Sequence, residues 1–262
     1  MNIIDFHTHI YPAKIAEKAT QATCDFYHIT TDRTGTAEEL IQRGTAAGIS
    51  EYVILPVATK AAQVHSVNQF AVDQAKQHTV FHCFGTIHAA TENMGEELDF
   101  ILRSGLKGLK LHPDTQGFNT DDERLFPVYD YLAGKIPVLV HCGDPRYGFS
   151  RPERLRRVIK MFPKLQVIAA HLGGWSMFET AYEQLRDTDC FLDISSSTMF
   201  LSKEQMRHYV DGYGAERLLF GTDFPLWDPV KEVQTFLSLP LTEREKEQIA
   251  WQNAQKILTG CF

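Results

Sequence analysis

The strongest constraint on the fold is a rhythm of short apolar, β-branched runs along a chain of 262 residues. Eight of these read as strands: Asn2–Phe6, Tyr52–Leu55, Val80–Thr86, Gly108–Leu111, Val138–His141, Val167–His171, Phe191–Ile194 and Leu218–Gly221. Their C-terminal ends fall near positions 9, 56, 87, 112, 141, 171, 194 and 223, giving intervals of 47, 31, 25, 29, 30, 23 and 29 residues. Each interval has room for the crossover helix that parallel strands require. Helix signals fill the gaps. Thr36-Ala37-Glu38-Glu39 reads as a capping box for a helix through Ala47 that Gly48 ends, and Ser202 to Gln205 and Thr242 to Glu245 repeat the pattern. In the last helix Ile249, Ala250, Asn253, Ala254, Ile257 and Leu258 recur at helical spacing before Gly260.

Strands alternating with helices, and apolar almost throughout, predict a parallel sheet covered on both faces. Eight such units favour closure into a (β/α)8 TIM barrel over an open sheet, and the length is near the roughly 250 residues typical of that fold. A hydrophobic content of 44% suffices to fill such a core. No linker, low-complexity tract or dinucleotide fingerprint interrupts the pattern, so residues 1–262 read as one α/β domain. The first interval is too long for a single helix. Residues 11–35 are expected to form an insertion after strand 1, either a lid or substrate wall or a plain cover of the barrel rim.

A formal charge of −7 argues against a nucleic-acid partner, which calls for a basic face, and gives no support to binding anionic membranes. No apolar run approaches the ~20 residues of a membrane span. The five cysteines are scattered without a C-x-x-C pair, which predicts reduced thiols rather than a disulfide framework or a cysteine-rich zinc site. Met1 leads straight into a strand with no basic or cleavable leader. The expectation is a cytoplasmic protein with a small-molecule partner. The sequence leaves open whether it is a monomer or a homo-oligomer.

Chemistry gathers at the strand ends. His7 and His9 stand two residues apart on a strand and so face the same way, with Asp5 below them. His141 and His171 end the fifth and sixth runs, and Asp223 follows the eighth. In a closed parallel barrel these ends open on one face, where active sites sit. Imidazole and carboxylate suit a divalent ion such as zinc. Three histidines, an aspartate and a position for water describe an open catalytic site. Any one of these residues could be an ordinary polar strand cap; five on one rim mark a metal or catalytic cluster.

The motifs that carry this reading are D-F-H-T-H at 5–9, G-L-K-L-H-P at 108–113, V-L-V-H-C-G-D-P at 138–145, A-A-H-L-G-G at 169–174 and F-G-T-D-F-P at 220–225. Together they resemble the amidohydrolase superfamily, specifically its amidohydrolase-related branch, which is similar to carboxymuconate-semialdehyde and resorcylate decarboxylases and to various lactonases. The resemblance runs from Ile4 to Leu258. It implies that His7, His9, His141 and Asp223 ligate a divalent metal, with zinc and a single ion favoured. It implies that His171 and Asp223 do the acid/base work. Two ions would need a bridge, for which a carbamylated Lys110 is placed.

A divalent ion lowers the pKa of water from 15.7 to about 7. The leading expectation is therefore hydrolysis of an amide, lactone or ester in a small carboxylated metabolite. Decarboxylation of a similar acid is the alternative, and a non-catalytic binding barrel is the third reading. Substrate contacts are expected from Lys110 and His112, inward on strand 4, and from two loop residues. Arg146 is either a carboxylate grip or an exposed loop arginine; Trp175 is either an aromatic wall or rim packing. Ser195 to Ser197 could hydrogen-bond a ligand, but such a run more often marks a plain loop. Cys142 points away from the mouth, and Arg151, Arg154, Arg156, Arg157 and Lys160 read as a solvated helix face. His28, His65, His78, His82, His88 and His208 read as surface or packing residues.

Overall fold

The computed structural model describes residues 1–260, and Cys261 lies outside them. The strands in chain order are β1 (Ile4–Thr8), β2 (Glu51–Ile54), β3 (Phe81–Cys83, continued by Gly85–Thr86), β4 (Leu109–Leu111), β5 (Val138–Val140), β6 (Val167–Ala169), β7 (Phe191–Asp193) and β8 (Leu218–Leu219). Every neighbouring pair is parallel and sequential, from β1 to β3 and from β3 to β8. The break in β3 falls at Phe84, whose N–H donates back to the Ile54 carbonyl at 2.9 Å. The ring is completed beyond β8. Phe6 N–H donates to the Phe220 carbonyl (2.8 Å), Asp223 N–H to His7 (2.7 Å) and His9 N–H to Phe224 (2.7 Å). This is the expected (β/α)8 barrel.

Side-chain alternation sorts the strands into an inner and an outer face. Val138 and Val140 join the shell of apolar residues packed under the helices, whereas Leu139 packs inside with Ile4, Phe6, Val53, Leu55, Phe84, Ile168 and Leu219. That inner cluster plugs the barrel below its mouth. The polar inward residues are left to the C-terminal rim. Strict alternation fails in β1, where the pairing with β2 shifts between Asp5 and Thr8. Phe6 thereby joins the inner cluster while His7 still reaches the rim. Strands 5 and 6 are shorter than the sequence suggests, ending at Val140 and Ala169, so His141 and His171 stand just past the strand ends.

The helix signals hold. Thr36 caps Ala37–Ala46, accepting the Glu39 N–H, and Ser202 and Thr242 form full capping boxes. The insertion after β1 contains a helix that its sequence does not announce, α1 (Ala16–Tyr27). Arg33 ties it to the opposite rim by donating to the carbonyls of Pro225 and Leu226, both at 2.8 Å. The helix thus lies across the mouth as a wall. Among the described residues no helix is long and apolar enough to cross a membrane, and Cys24, Cys83, Cys142 and Cys190 are free and buried.

Candidate metal centre

His7, His9 and Asp223 meet at the barrel mouth. Asp223 Oδ1 lies 3.6 Å from His7 Nε2 and 3.3 Å from His9 Nε2. The other nitrogen of each imidazole is already committed. His7 Nδ1–H donates to Asp193 Oδ2 at 2.8 Å, and His9 Nδ1–H donates to the Leu55 carbonyl at 2.7 Å. Both tautomers are therefore fixed with a bare Nε2 facing inward, the arrangement in which metal-bound histidines are held. The Lys110 ammonium stands in as the electropositive partner, with Nζ 3.2 Å from His7 Nε2. Two imidazole nitrogens and a carboxylate oxygen within 4.8 Å of one another fit a divalent ion, and His7, His9 and Asp223 are residues that would hold it.

Behind this trio runs a line of buried imidazoles. His171 stacks on His7 at 4.8 Å between ring centroids, and its Nε2 lies 3.0 Å from His141 Nδ1. His141 in turn stacks on His112 at 3.9 Å with the rings nearly parallel. Burial and the neighbouring positive groups lower the pKa of His7 and hold His112 and His141 well below their usual range; burial pushes His171 down to about 4. Burial likewise lowers Lys110 to about 8. Burial alone would raise the Asp223 carboxyl, but His7, the His9 hydrogen bond and His171 keep it well below normal. The mouth thus presents neutral imidazoles around a fixed carboxylate.

His141, expected beside His7 and His9, lines the same cavity as they do, and its ring also lies close to His112 and Asp114. Its Nε2 faces Asp114 Oδ2 at 3.6 Å. Arg146 does not face the cavity. Its Nε and Nη2 engage Asp144, and Nη1 donates to the Phe26 carbonyl at 2.7 Å, so it ties the end of α1 to the loop after β5. Trp175 packs edge-on against Tyr27 (5.1 Å) and Phe200 (5.5 Å), and lines a small side recess rather than the main cavity. Both Lys110 and His112 are buried; His112 lines the cavity and is bonded through Nε2 to the Tyr27 hydroxyl at 2.7 Å, whereas Lys110, behind His7, does not line it.

Three groups escaped the sequence reading. Asp193, fully buried, accepts from His7 and from the His171 N–H (3.1 Å), and burial is outweighed by His7, His171 and Ser195 so that its pKa falls to about 2. A carboxylate ending an apolar strand beside Ser-Ser-Ser was the available signal. Those serines are no plain loop: Ser195 hydrogen-bonds His171 Nδ1 at 2.9 Å, and the Ser196 hydroxyl donates to Asp223 Oδ2 while accepting Trp227 Nε1–H at 2.7 Å. Tyr27, on α1, closes the floor from above. Three of the six outlying histidines find partners: His65 Nδ1 meets Glu97 (3.0 Å), His82 pairs with Glu51, and His88 Nε2 meets the Gln116 carbonyl (3.0 Å).

The trio forms part of the floor of a cavity of about 840 Å³. Its walls are mostly apolar, with Ile10, Ile15, Ala19 and Phe26 from the insertion, Leu55, Pro56 and Val57 from the loop after β2, and Val67 and Phe70 from the helix Val64–Gln77.

The model of the amidohydrolase family matches residues 4–259. The chain belongs to the amidohydrolase family. No curated protein sequence matches it. Among solved structures, this amidohydrolase resembles an uncharacterized TIM-barrel protein from Bordetella bronchiseptica, with 23% identity, a TM-score of 0.81 and 99% of each chain covered. It is also similar to 5-carboxyvanillate decarboxylase from Novosphingobium aromaticivorans complexed with manganese (16% identity, TM-score 0.78, 98% and 96% covered). A dihydroxybenzoic acid decarboxylase from a Polaromonas species, with bound manganese and the inhibitor 2-nitroresorcinol, matches at 14% identity and TM-score 0.76, covering 99% and 97%. At these identities the likeness speaks for the fold.

Proposed function

We infer that this amidohydrolase is a metal-dependent decarboxylase of a small aromatic carboxylic acid. The observation that carries the reading is the junction of the His7, His9 and Asp223 donors with an apolar, partly aromatic cavity. A flat ring fits such walls, and its carboxylate then turns to the histidine and aspartate groups of the floor. When bound, a first-row divalent cation supplies electrophilic charge next to that carboxylate; the donor set accommodates zinc as well as manganese.

The chain's own residues then account for the rest. The apolar walls exclude water, which strengthens every charge interaction at the floor. The bond from ring carbon to carboxylate breaks, carbon dioxide leaves, and the ring carbon takes one proton; His171 and Asp223 are the titratable groups at hand to carry it. Manganese-bound decarboxylases among the similar structures support the choice.

The test offers 2,6-dihydroxybenzoate and 5-carboxyvanillate, with a panel of related hydroxybenzoates, to protein reconstituted with manganese or zinc. The expected result is carbon dioxide release from at least one acid, abolished in Asp223→Asn. Turnover of aryl lactones or amides without carbon dioxide release would establish the hydrolytic alternative instead.

A further inference from the structure

We propose that the acid carries an apolar arm remote from its carboxylate, and that the arm lies in a groove shared by α1 and the helix Val64–Gln77. The inference rests on the aromatic-acid reading for the carboxylate end and adds the class of substituent. Two helical stripes lead to it. On α1, Ile15 at the N-cap, Ala19, Ala22 and Phe26 recur at helical spacing along one line of the surface, and all four line the cavity. Ala16, Thr20 and Cys24 form a separate, buried stripe, with the Thr20 hydroxyl donating to the Thr34 carbonyl at 2.9 Å. The helix Val64–Gln77 is divided in the same way. Val64, Asn68, Ala71 and Val72 are buried, whereas Val67 and Phe70 turn to the cavity.

Each helix thus packs through one stripe and turns a second, apolar one to the cavity, where Ile15 stays 51% exposed. Apolar side chains scattered singly on a surface are ordinary; aligned stripes from two helices on one cavity mark a binding groove. Its size exceeds a single ring. From Ile15 to Phe26 the α1 stripe spans roughly 16 Å, at about 1.5 Å of rise per residue. The cavity of about 840 Å³ is also on the scale that encloses a drug-sized ligand. The same cavity reaches His7, His9 and Asp223, so a ring seated on the floor can extend a substituent along the stripes. Lys18, Gln63 and Ser66, all exposed, line the cavity where it meets solvent. The substrate class is therefore a ring carboxylic acid bearing an alkyl or aryl arm whose far end reaches water.

The test measures binding of benzoates with a methyl, butyl or hexyl group, meta or para, to manganese-supplemented protein by titration calorimetry. Each methylene buried along the stripes should tighten binding about fourfold. In wild type the better hexyl isomer should therefore bind at least tenfold more tightly than its methyl counterpart. Ala22→Trp and Val67→Trp each fill the groove from one side, and in both that ratio should fall to within about twofold, with folding checked by circular dichroism. A wild type indifferent to chain length, or a gain that survives both substitutions, overturns the groove. The decarboxylase reading fails separately. Carbon dioxide release with kcat/KM indifferent to the arm overturns the groove and leaves that reading standing. A chain-length gain with no carbon dioxide released from any acid supports the groove and counts against the reading.

Discussion

Asp193 accepts the Nδ1–H of His7 at 2.8 Å, and both side chains are buried within the barrel mouth. The strand-7 carboxylate thereby decides which nitrogen of the strand-1 histidine is free. It also anchors the His171 backbone at 3.1 Å, so one side chain orients two members of the imidazole line.

Replacing Asp193 by asparagine keeps the shape and removes the charge that favours this tautomer. Loss of an outer partner of a metal-bound histidine lowers affinity roughly 10- to 100-fold. Competition with a chromogenic chelator measures it. A variant within twofold of wild type would show that His7 is oriented by other contacts.

Acid stability follows from the buried imidazoles. The unfolded chain protonates His171 near its ordinary 6.5, whereas the folded protein resists until about 4. Between those values the unfolded state binds more protons, so stability falls as pH falls. For His171 alone the loss reaches roughly 3 kcal/mol near pH 4. Asp5, raised by burial to about 7, acts in the opposite sense, because its folded form prefers the proton. The readout is therefore a difference: urea midpoints of metal-free wild type should decline more steeply from pH 7 to pH 5 than those of His171→Asn. Parallel declines would contradict the assignment.

Much of this centre is legible in the residues themselves. Eight apolar runs and their spacing suffice for the barrel, because parallel strands buried on both faces leave an unmistakable pattern. His7, His9 and Asp223 are readable as a set, because several such groups at the strand ends of one rim are rarely all plain polar caps. The approach of Asp114 to His141 is not, since it depends on where β5 stops and on a turn after β4 that begins at Pro113. Asp193 and Ser195 to Ser197 hide for a related reason: their role is to orient other side chains, and sequence spacing carries no trace of the partner. The helix Ala16–Tyr27 is obscured by a weak start, with no side-chain cap on Ile15.

Arg146 is predicted to act on the wall rather than on substrate. Its guanidinium joins buried Asp144 to the Phe26 carbonyl at the end of α1. Arg146→Ala strips Asp144 of its charged partner, and loss of hydrogen bonds to a charged group costs about 1–3 kcal/mol. Lysine cannot reproduce the planar fork, so Arg146→Lys should recover little. Hydrogen exchange across residues 16–27 should accelerate in both variants. Unchanged exchange, with only substrate affinity lost, would restore the carboxylate-gripping role.

Gly221 tests whether the metal trio depends on backbone spacing as well as on its ligands. The residue precedes Thr222 and Asp223 at the point where the last strand meets the first. A Cβ there would lie 2.8 Å from His7 Cβ, 3.2 Å from Ser195 Cβ and 3.3 Å from the His7 nitrogen. The two nearer contacts are at the roots of side chains and cannot be relieved by a rotamer change. Alanine must therefore push β1 away from the last strand and carry the His7 ring with it. Overpacking of this kind costs about 1–3 kcal/mol. Gly221→Ala should accordingly lower both the thermal midpoint and the affinity for manganese, the latter by about tenfold or more, although every ligand is retained. If stability falls while metal affinity holds, the strain is absorbed elsewhere and His7 is more loosely placed than its hydrogen bond to Asp193 implies.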